Sequence, residues 1–132
     1  MLARGGQVVT EADRTVRKVA LAVDATVVLA TPVDTGRARA NWQVELGGPA
    51  SGEVGRAGER FSSTTPIAQG AAAIALYKGG PNASIHITNN LPYIGRLNDG
   101  HSAQAPAGFV EQAVLRGADA VRNAQLLKGP VR

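Results

Sequence analysis

The longest periodic pattern in this chain runs from Thr10 to Ala30, and it constrains the fold more than any other stretch. Thr10 is a favourable N-cap, and Glu11 and Asp13 suit the first turn of a helix. Pro32 cannot continue a helix, so the pattern predicts one long helix that ends just before it. The apolar residues at helical spacing are Ala12, Val16, Val19, Ala20, Val23, Val27 and Ala30.

A second face of this helix is also apolar, at Leu21, Ala25 and Val28. A helix that is apolar on two sides in a chain of 132 residues needs two partners. One partner would be the protein's own sheet. The other is either a neighbouring subunit or long loops that cover the helix, and the sequence does not separate these two. The residues of the candidate partner interface are Leu21, Ala25, Val28, Arg37, Arg39, Arg56 and Arg60.

The same helix has the outline of a secretory signal, because cations precede an apolar run. However, Glu11 and Asp13 lie in the region that would have to be positive, and Asp24 interrupts the apolar run. The run from Val19 to Ala30 is also shorter than the about 20 residues that span a bilayer. We therefore expect a soluble helix and no membrane partner.

A half-buried strand is predicted after the helix, because Trp42, Val44 and Leu46 alternate with polar residues. In this strand Asn41 would lie on the solvent face. Residues 47–65 are rich in Gly and Ser and predict a loop that is functional or mobile. Such a loop could become ordered only against a partner.

The second half of the chain carries shorter patterns, and 132 residues suit a single domain with a loose start at 1–9 and a tail at 128–132. An Ala-rich helix is predicted next, with Thr65 as N-cap and Pro66 as first residue, and it stops at Gly79-Gly80. A strand around Ile85 and Ile87 and a helical turn at Tyr93–Leu97 follow. The last predicted element is a helix from Gly108 to about Leu127, whose apolar stripe is Phe109, Ala113, Val114, Val121 and Ala124.

The tripeptide Asp34-Thr35-Gly36 matches the sequence that carries the catalytic carboxylate of aspartic proteases. Retroviral-type proteases of this class are homodimers in which two such aspartates share a proton. In that family the tripeptide ends a hydrophobic strand, whereas here it follows a helix and Pro32. Arg37, directly after it, would favour an ionised carboxylate and oppose proton sharing. We therefore expect Asp34 to cap a turn that Gly36 permits, with the dimeric protease as a distant alternative.

Other chemistry is sparse. His86 and His101 have no metal-ligand spacing, and the chain contains no cysteine, which excludes disulfides, thiol nucleophiles and thiolate metal sites. No phosphate-binding or dinucleotide-binding glycine motif occurs. We predict no catalytic residue, no metal and no cofactor, and hence a protein that is not an enzyme.

The charge is mildly positive, with a formal net charge of +4 and a pI of about 10.1. Eleven of the 14 cations are Arg, and they are scattered among acidic residues with no long run of one sign. Dedicated nucleic-acid binding is disfavoured, because basic clusters and stacking aromatics are both missing. Non-specific proximity to DNA remains compatible with this charge.

Two longer blocks occur in a fixed order: "TPVDTGRARANW" at residues 31–42 and "ITNNLPYIGRLNDGHSAQAPAGF" at residues 87–109. Together with the preceding helix, they resemble the tail-completion (Z-type minor tail) proteins of long-tailed double-stranded DNA bacteriophages. One departure is that Asn98-Asp99 replaces a Glu-aromatic pair, so a contact of that glutamate is either lost or supplied by Asp99. The motif residues that we single out are Pro32, Asp34, Thr35, Gly36, Trp42, Asn90, Tyr93, Gly100, Pro106 and Gly108.

The resemblance implies an α+β fold, in which long N- and C-terminal helices and a shorter middle helix pack on a small antiparallel sheet. It also implies a virion protein that forms a homo-oligomeric ring, six-fold in our expectation, around the DNA path at the head-proximal end of the tail. Its partners would be neighbouring tail and head–tail connector proteins, and assembly would occur in the host cytoplasm. A tail terminator or a head-completion stopper is the alternative within the same role.

Overall fold

The computed structural model describes residues 10–32, 37–55, 64–100 and 105–127. Within these ranges the chain forms an α+β fold, as the resemblance implied, with long helices at both ends and a two-stranded antiparallel sheet between them. The elements in chain order are α1 (Glu11–Ala30), α2 (Arg37–Ala40), β1 (Trp42–Leu46), α3 (Thr64–Ala75), β2 (Ile85–Asn89), α4 (Ile94–Asn98) and α5 (Phe109–Leu127).

Helix α1 begins and ends where its sequence predicts. The Thr10 hydroxyl accepts a hydrogen bond from the Asp13 N–H (3.1 Å), and the Asp13 carboxylate accepts one from the Thr10 N–H (3.1 Å). This capping box satisfies backbone groups that a helix start leaves unpaired. The Asp13 carboxylate accepts hydrogen bonds from the Thr10 N–H and from the Thr10 hydroxyl (2.9 Å), and both lower the pKa of Asp13.

Helices α1 and α5 pack tightly against each other at Gly117. A Cβ atom on Gly117 would lie 2.7 Å from the Val23 Cα, so only glycine allows the two backbones to come this close. Farther along the contact, Val27 and Val28 of α1 join Trp42 and Ala113 in the hydrophobic core. The packing of the N- and C-terminal helices therefore contributes much of the hydrophobic core of the described residues.

The sheet pairs β1 with β2 in one antiparallel register, from Trp42 opposite Asn89 to Leu46 opposite Ile85. Only the first residue of β1 is fully buried, because the strand runs from the core toward solvent; Leu46 is 36% exposed. Exposure rises along β1 from Trp42 to Leu46, so the predicted alternation of a buried and an open face is not seen.

Helix α3 starts at Thr64, which is earlier than predicted, and ends at Ala75 instead of at the glycine pair. The last two residues of the predicted 47–65 loop therefore belong to a helix. Gly70 of α3 packs directly on the Asp24 carboxyl group of α1 and against Val44 of β1. This glycine lets α3 approach both elements, so the middle helix packs against α1 and β1.

Helix α4 confirms the helical turn that was predicted near Tyr93–Leu97, and α5 confirms the predicted C-terminal helix. The predicted apolar stripe of α5 is only partly right. Phe109 and Ala113 are buried, whereas Val114 is 42% exposed. None of the described helices is long and apolar enough to cross a membrane.

Candidate functional site

The end of α1 and the start of β1 are connected through the Thr31 side chain. Trp42 Nε1 donates a hydrogen bond to Thr31 Oγ1 (2.8 Å), and that hydroxyl donates to the Val27 carbonyl (2.6 Å). Thr31 is 1% exposed and Trp42 is 8% exposed, so an indole N–H that would be costly to bury alone is satisfied inside the protein. We call Thr31, Arg39, Asn41 and Trp42 the α1–β1 joint.

Arg39 of the joint caps the C-terminus of α1. Its Nε donates to the Thr31 carbonyl (2.7 Å) and its Nη2 to the Leu29 carbonyl (2.8 Å). These carbonyls lie where a helix leaves acceptors unpaired and where its dipole favours a cation. Burial lowers the pKa of Arg39. The expectation that Arg39 points toward a partner is therefore corrected, because its guanidinium binds its own chain.

Asn41 holds the loop that follows β1. Its Nδ2 donates to the Arg37 and Val54 carbonyls (2.9 Å each), and its Oδ1 accepts from the Val54 N–H (2.6 Å). Asn41 is 0% exposed. The prediction that it faces solvent is wrong, because it lies in the turn between α2 and β1, where strand alternation does not apply. The short helix α2 that creates this turn was not predicted.

The first part of the predicted 47–65 loop is bound by side chains of the two strands and their flanks. Asn90 Nδ2 donates to the Ala50 carbonyl (2.9 Å) and to the Gly52 carbonyl (3.1 Å). Gln43 Nε2 also donates to the Gly52 carbonyl (3.0 Å). Residues 47–55 are thus placed by the chain itself, and ordering by a partner is not needed for them.

Arg37 takes part in the same anchoring. Its Nη2 lies 2.9 Å from Glu53 Oε1 and 3.3 Å from the Gly55 carbonyl, and its side chain is only 15% exposed. Our expectation that Arg37 serves an outside partner is corrected for this reason. Arg56 and Arg60, the other arginines of the candidate interface, lie outside the described residues, as does His101.

The protease tripeptide Asp34-Thr35-Gly36 also lies outside the described residues, so the expected cap at Asp34 stays a prediction. Its surroundings are described on both sides. Buried Pro32 follows the end of α1, and Arg37 begins α2. Helices therefore flank the tripeptide, whereas an aspartic protease requires the strand on which its aspartate is fixed.

Asp24 is the buried ionisable group that sequence reasoning missed. It is 2% exposed, its Oδ1 has no hydrogen-bond partner among the described residues, and burial raises its pKa to about 7. In the sequence it looked only like an interruption of an apolar run. The available signal was its spacing of four residues from both Ala20 and Val28, which are buried, and this spacing places Asp24 on the same helical face.

The second sequence block forms the start of α5. The Gly108 N–H donates to the Asn98 carbonyl (2.6 Å) at a φ of 77°, a conformation that favours glycine. Asn98 Oδ1 accepts from the Val110 N–H (2.9 Å), and its Nδ2 donates to the Glu111 carboxylate (2.9 Å), which lowers the pKa of Glu111. Asn98 therefore holds the start of α5, and a contact supplied by Asp99 stays a prediction.

The other residues of this block lie near its turns. Tyr93 precedes α4 and is 38% exposed, and Pro106 is exposed. Gly100 has a φ of 95°, and a Cβ atom there would lie 3.2 Å from the Ala107 Cβ. These residues shape the connection between α4 and α5, and none of them forms a cluster of reactive groups.

The outward face of α1 keeps part of the predicted second apolar stripe. Leu21 is 41% exposed, Leu29 is 54% exposed, and Ala25 between them is half-buried. Val28, by contrast, is 0% exposed and belongs to the core, so its assignment to a partner interface is corrected. Four-residue spacing aligns Leu21, Ala25 and Leu29 along one side of the helix.

Among the described residues, no group of three or more His, Asp or Glu side chains could hold a metal ion. His86 Nε2 lies 2.9 Å from Ser84 Oγ, a local contact on the sheet face opposite Ile85 and Ile87. Comparisons with protein-family models, curated proteins and solved structures found no match for this chain.

Proposed function

We propose that this protein is a structural component of the neck or tail of a long-tailed double-stranded DNA phage, of the tail-completion type. In this role it assembles as a homo-oligomeric, six-fold ring at the head-proximal end of the tail and makes the tail competent for head joining. The proposal rests first on the two ordered sequence blocks that resemble this family.

The observation that supports it most is how the described motif side chains are used. Arg39, Asn41, Trp42 and Asn90 all direct their polar atoms to groups of their own chain. A motif that holds a helix, a strand and a loop in fixed relation suits a protein whose task is positional. A catalytic motif would instead present a nucleophile, an acid or a metal ligand at an open cleft.

The outward face of α1 is the surface that we assign to contacts between ring subunits. Leu21, Ala25 and Leu29 form its apolar half, and Arg14 and Lys18 lie on the same side toward the N-terminus. Apolar residues flanked by cations suit the centre and rim of a protein interface. Exposed cations of this kind also tolerate a nearby DNA path.

Deletion of the gene from the phage tests the role directly. We expect filled heads and complete tails to accumulate separately in electron micrographs, because the joining step fails. Overlong tails would instead identify a tail terminator, and tail-free heads that lose DNA would identify a stopper. Normal, infectious particles would contradict every version of the proposal.

The ring contact is tested on the purified protein. Micrographs of the wild type should show closed rings, and Leu21→Glu should leave single subunits with an unchanged circular dichroism spectrum. Leu115→Glu is the matched control, because Leu115 is 64% exposed but lies on α5. Rings that still form from Leu21→Glu would contradict our assignment of the interface to this face.

A further inference from the structure

The outer edge of β2 carries backbone hydrogen-bonding groups that no described strand uses. The Gly47 N–H donates to the Ser84 carbonyl, and the register places Gly47 opposite Ser84. In an antiparallel ladder such pairs alternate, so His86 and Thr88 also point their backbone groups toward β1. Ile85, Ile87 and Asn89 therefore point theirs away from β1, and the described sheet ends there.

The residues of β2 lack the side chains that normally protect an edge strand. The sequence from Ile85 to Asn89 is IHITN, with no Lys, no proline and no acidic residue. Three of its five residues are β-branched, which favours further strand pairing. Unprotected edges of this composition readily accept another strand.

An apolar groove lies beside this edge, between β2 and the N-terminal half of α1. Its volume is about 370 Å³. The side chains that line it are Val16, Val19, Ala20 and Val23 from α1 and Ile85 and Ile87 from β2, with Thr15 as the polar member of the described lining. No charged side chain is part of the described lining.

The edge and the groove fit one kind of occupant together. A strand hydrogen-bonded to the outward groups of Ile85, Ile87 and Asn89 would place every second side chain on the sheet face of Ile85 and Ile87. That face looks into the groove, so these side chains should be apolar. Strand-addition sites have two parts, which are an unpaired strand edge and pockets beside it for the side chains of the added strand.

We infer that this edge binds an extended segment of a neighbouring protein, about five residues long to match β2, with apolar side chains at alternate positions. The inference does not depend on the phage role. A second copy paired through its own β2 is the alternative occupant. Such pairing would protect the β2 amides without any added peptide, which the experiment below measures.

A tethered peptide tests the inference without requiring high affinity. The chain has no cysteine, so Ala83→Cys, at an exposed position two residues before β2, gives a single attachment point. A peptide with alternating Val and Thr, joined there by a disulfide, samples the edge at high effective concentration. The readout is hydrogen exchange of the β2 amides by NMR.

We expect exchange of the Ile85, Ile87 and Asn89 amides to slow by about tenfold or more, because bonded amides exchange only when the added strand leaves. His86 and Thr88 serve as internal references, since their amides already face β1. A peptide N-methylated at the amides that face β2 should give no protection, whereas methylation of the alternate amides should leave it intact.

Two variants test whether the side chains of the groove contribute to peptide binding. Val16→Glu places a charge in the groove at a residue that is 40% exposed, and it should abolish the protection. Leu115→Glu places the same charge at an exposed position on α5 and should not. Unchanged exchange with the wild-type peptide, or equal protection by both methylated peptides, would overturn the inference. Concentration-dependent protection without any peptide would also overturn it, in favour of a second copy.

Discussion

Replacement of Asp24 by Asn should change how the stability of this protein depends on pH. The two side chains have nearly the same shape, but the amide cannot ionise. Asp24 is 2% exposed and packs against Gly70, and α3 presents no charged residue to it anywhere between Thr64 and Ala75. The main effect of the variant is therefore to remove the free-energy cost of burying a negative charge at this position.

The size of that cost follows from the raised pKa of Asp24, about 7 in the folded protein against 3.8 as the ordinary value. Below pH 3.8 the carboxyl group is neutral in both states and costs nothing. Between these two pH values the unfolded chain loses the proton that the folded chain keeps, so stability falls as pH rises. Each pKa unit corresponds to about 1.4 kcal/mol, which gives a loss of about 4 kcal/mol above a pH of about 7.

Urea unfolding at a series of pH values measures this loss. At each pH we compare the free energy of unfolding of Asp24→Asn with that of the wild type. We expect this difference to favour the variant by about 4 kcal/mol more near pH 8 than near pH 4. Any constant effect of the buried amide cancels in this difference. Asp119→Asn removes an equal charge from an exposed position on α5, so it controls for the change in net charge.

Profiles of the wild type and Asp24→Asn that stay parallel across this range would refute the reasoning. Such a result would mean that the carboxylate is solvated or paired in the folded protein. An NMR titration of the Asp24 carboxyl carbon gives an independent answer, with an expected midpoint at a pH of about 7.

Three further substitutions test packing and hydrogen bonding. Gly117→Ala should destabilise the fold by about 1–3 kcal/mol despite the better helix propensity of Ala, because its Cβ would lie 2.7 Å from a backbone atom of α1; thermal unfolding measures this. Thr31→Val should cost about 1–3 kcal/mol by leaving the Trp42 indole N–H buried and unpaired, measured by urea unfolding followed by tryptophan fluorescence. Asn41→Ala should speed proteolysis within residues 47–55, measured by limited digestion, because the loop loses its hydrogen bonds to this side chain.

Matched variants separate these effects from general damage. Gly95→Ala lies in α4 with nothing near its Cβ position, so it should stabilise by up to about 1 kcal/mol where Gly117→Ala destabilises. Thr26→Val removes a hydroxyl that bonds to the Ala22 carbonyl of its own helix and should cost less than Thr31→Val. A Gly117→Ala protein as stable as the wild type would contradict the close helix contact. Unaltered digestion of Asn41→Ala would contradict the anchoring of the loop.

The parts of the fold that sequence predicted are those fixed by local chemistry. The capping box at Thr10 and the proline after Thr31 define α1 without help from the rest of the chain. Asn41, Arg39 and Asp24 were misread for a common reason. Their environments depend on backbone and side-chain partners outside their own periodic pattern, such as Val54 and Gly70, and periodicity carries no information about such partners.

At the candidate site, too, the sequence predicted local features but not the partners of the side chains. Described residues of the two sequence blocks, such as Thr31, Trp42, Asn98 and Gly108, form hydrogen bonds that hold neighbouring elements together. The blocks did not reveal that Arg37 and Arg39 are used internally. An arginine after a helix looks the same in sequence whether it caps that helix or meets another protein.

The contacts that Gly70 and Gly79 make with α1 also limit how this protein can move. Gly70 receives the Asp24 carboxyl group and Gly79 receives that of Asp13, each in space that a Cβ atom would fill. A residue other than glycine at either position would place a Cβ atom where one of these carboxyl groups lies. Any motion that brought a non-glycine residue to either point would therefore first have to separate this segment from α1.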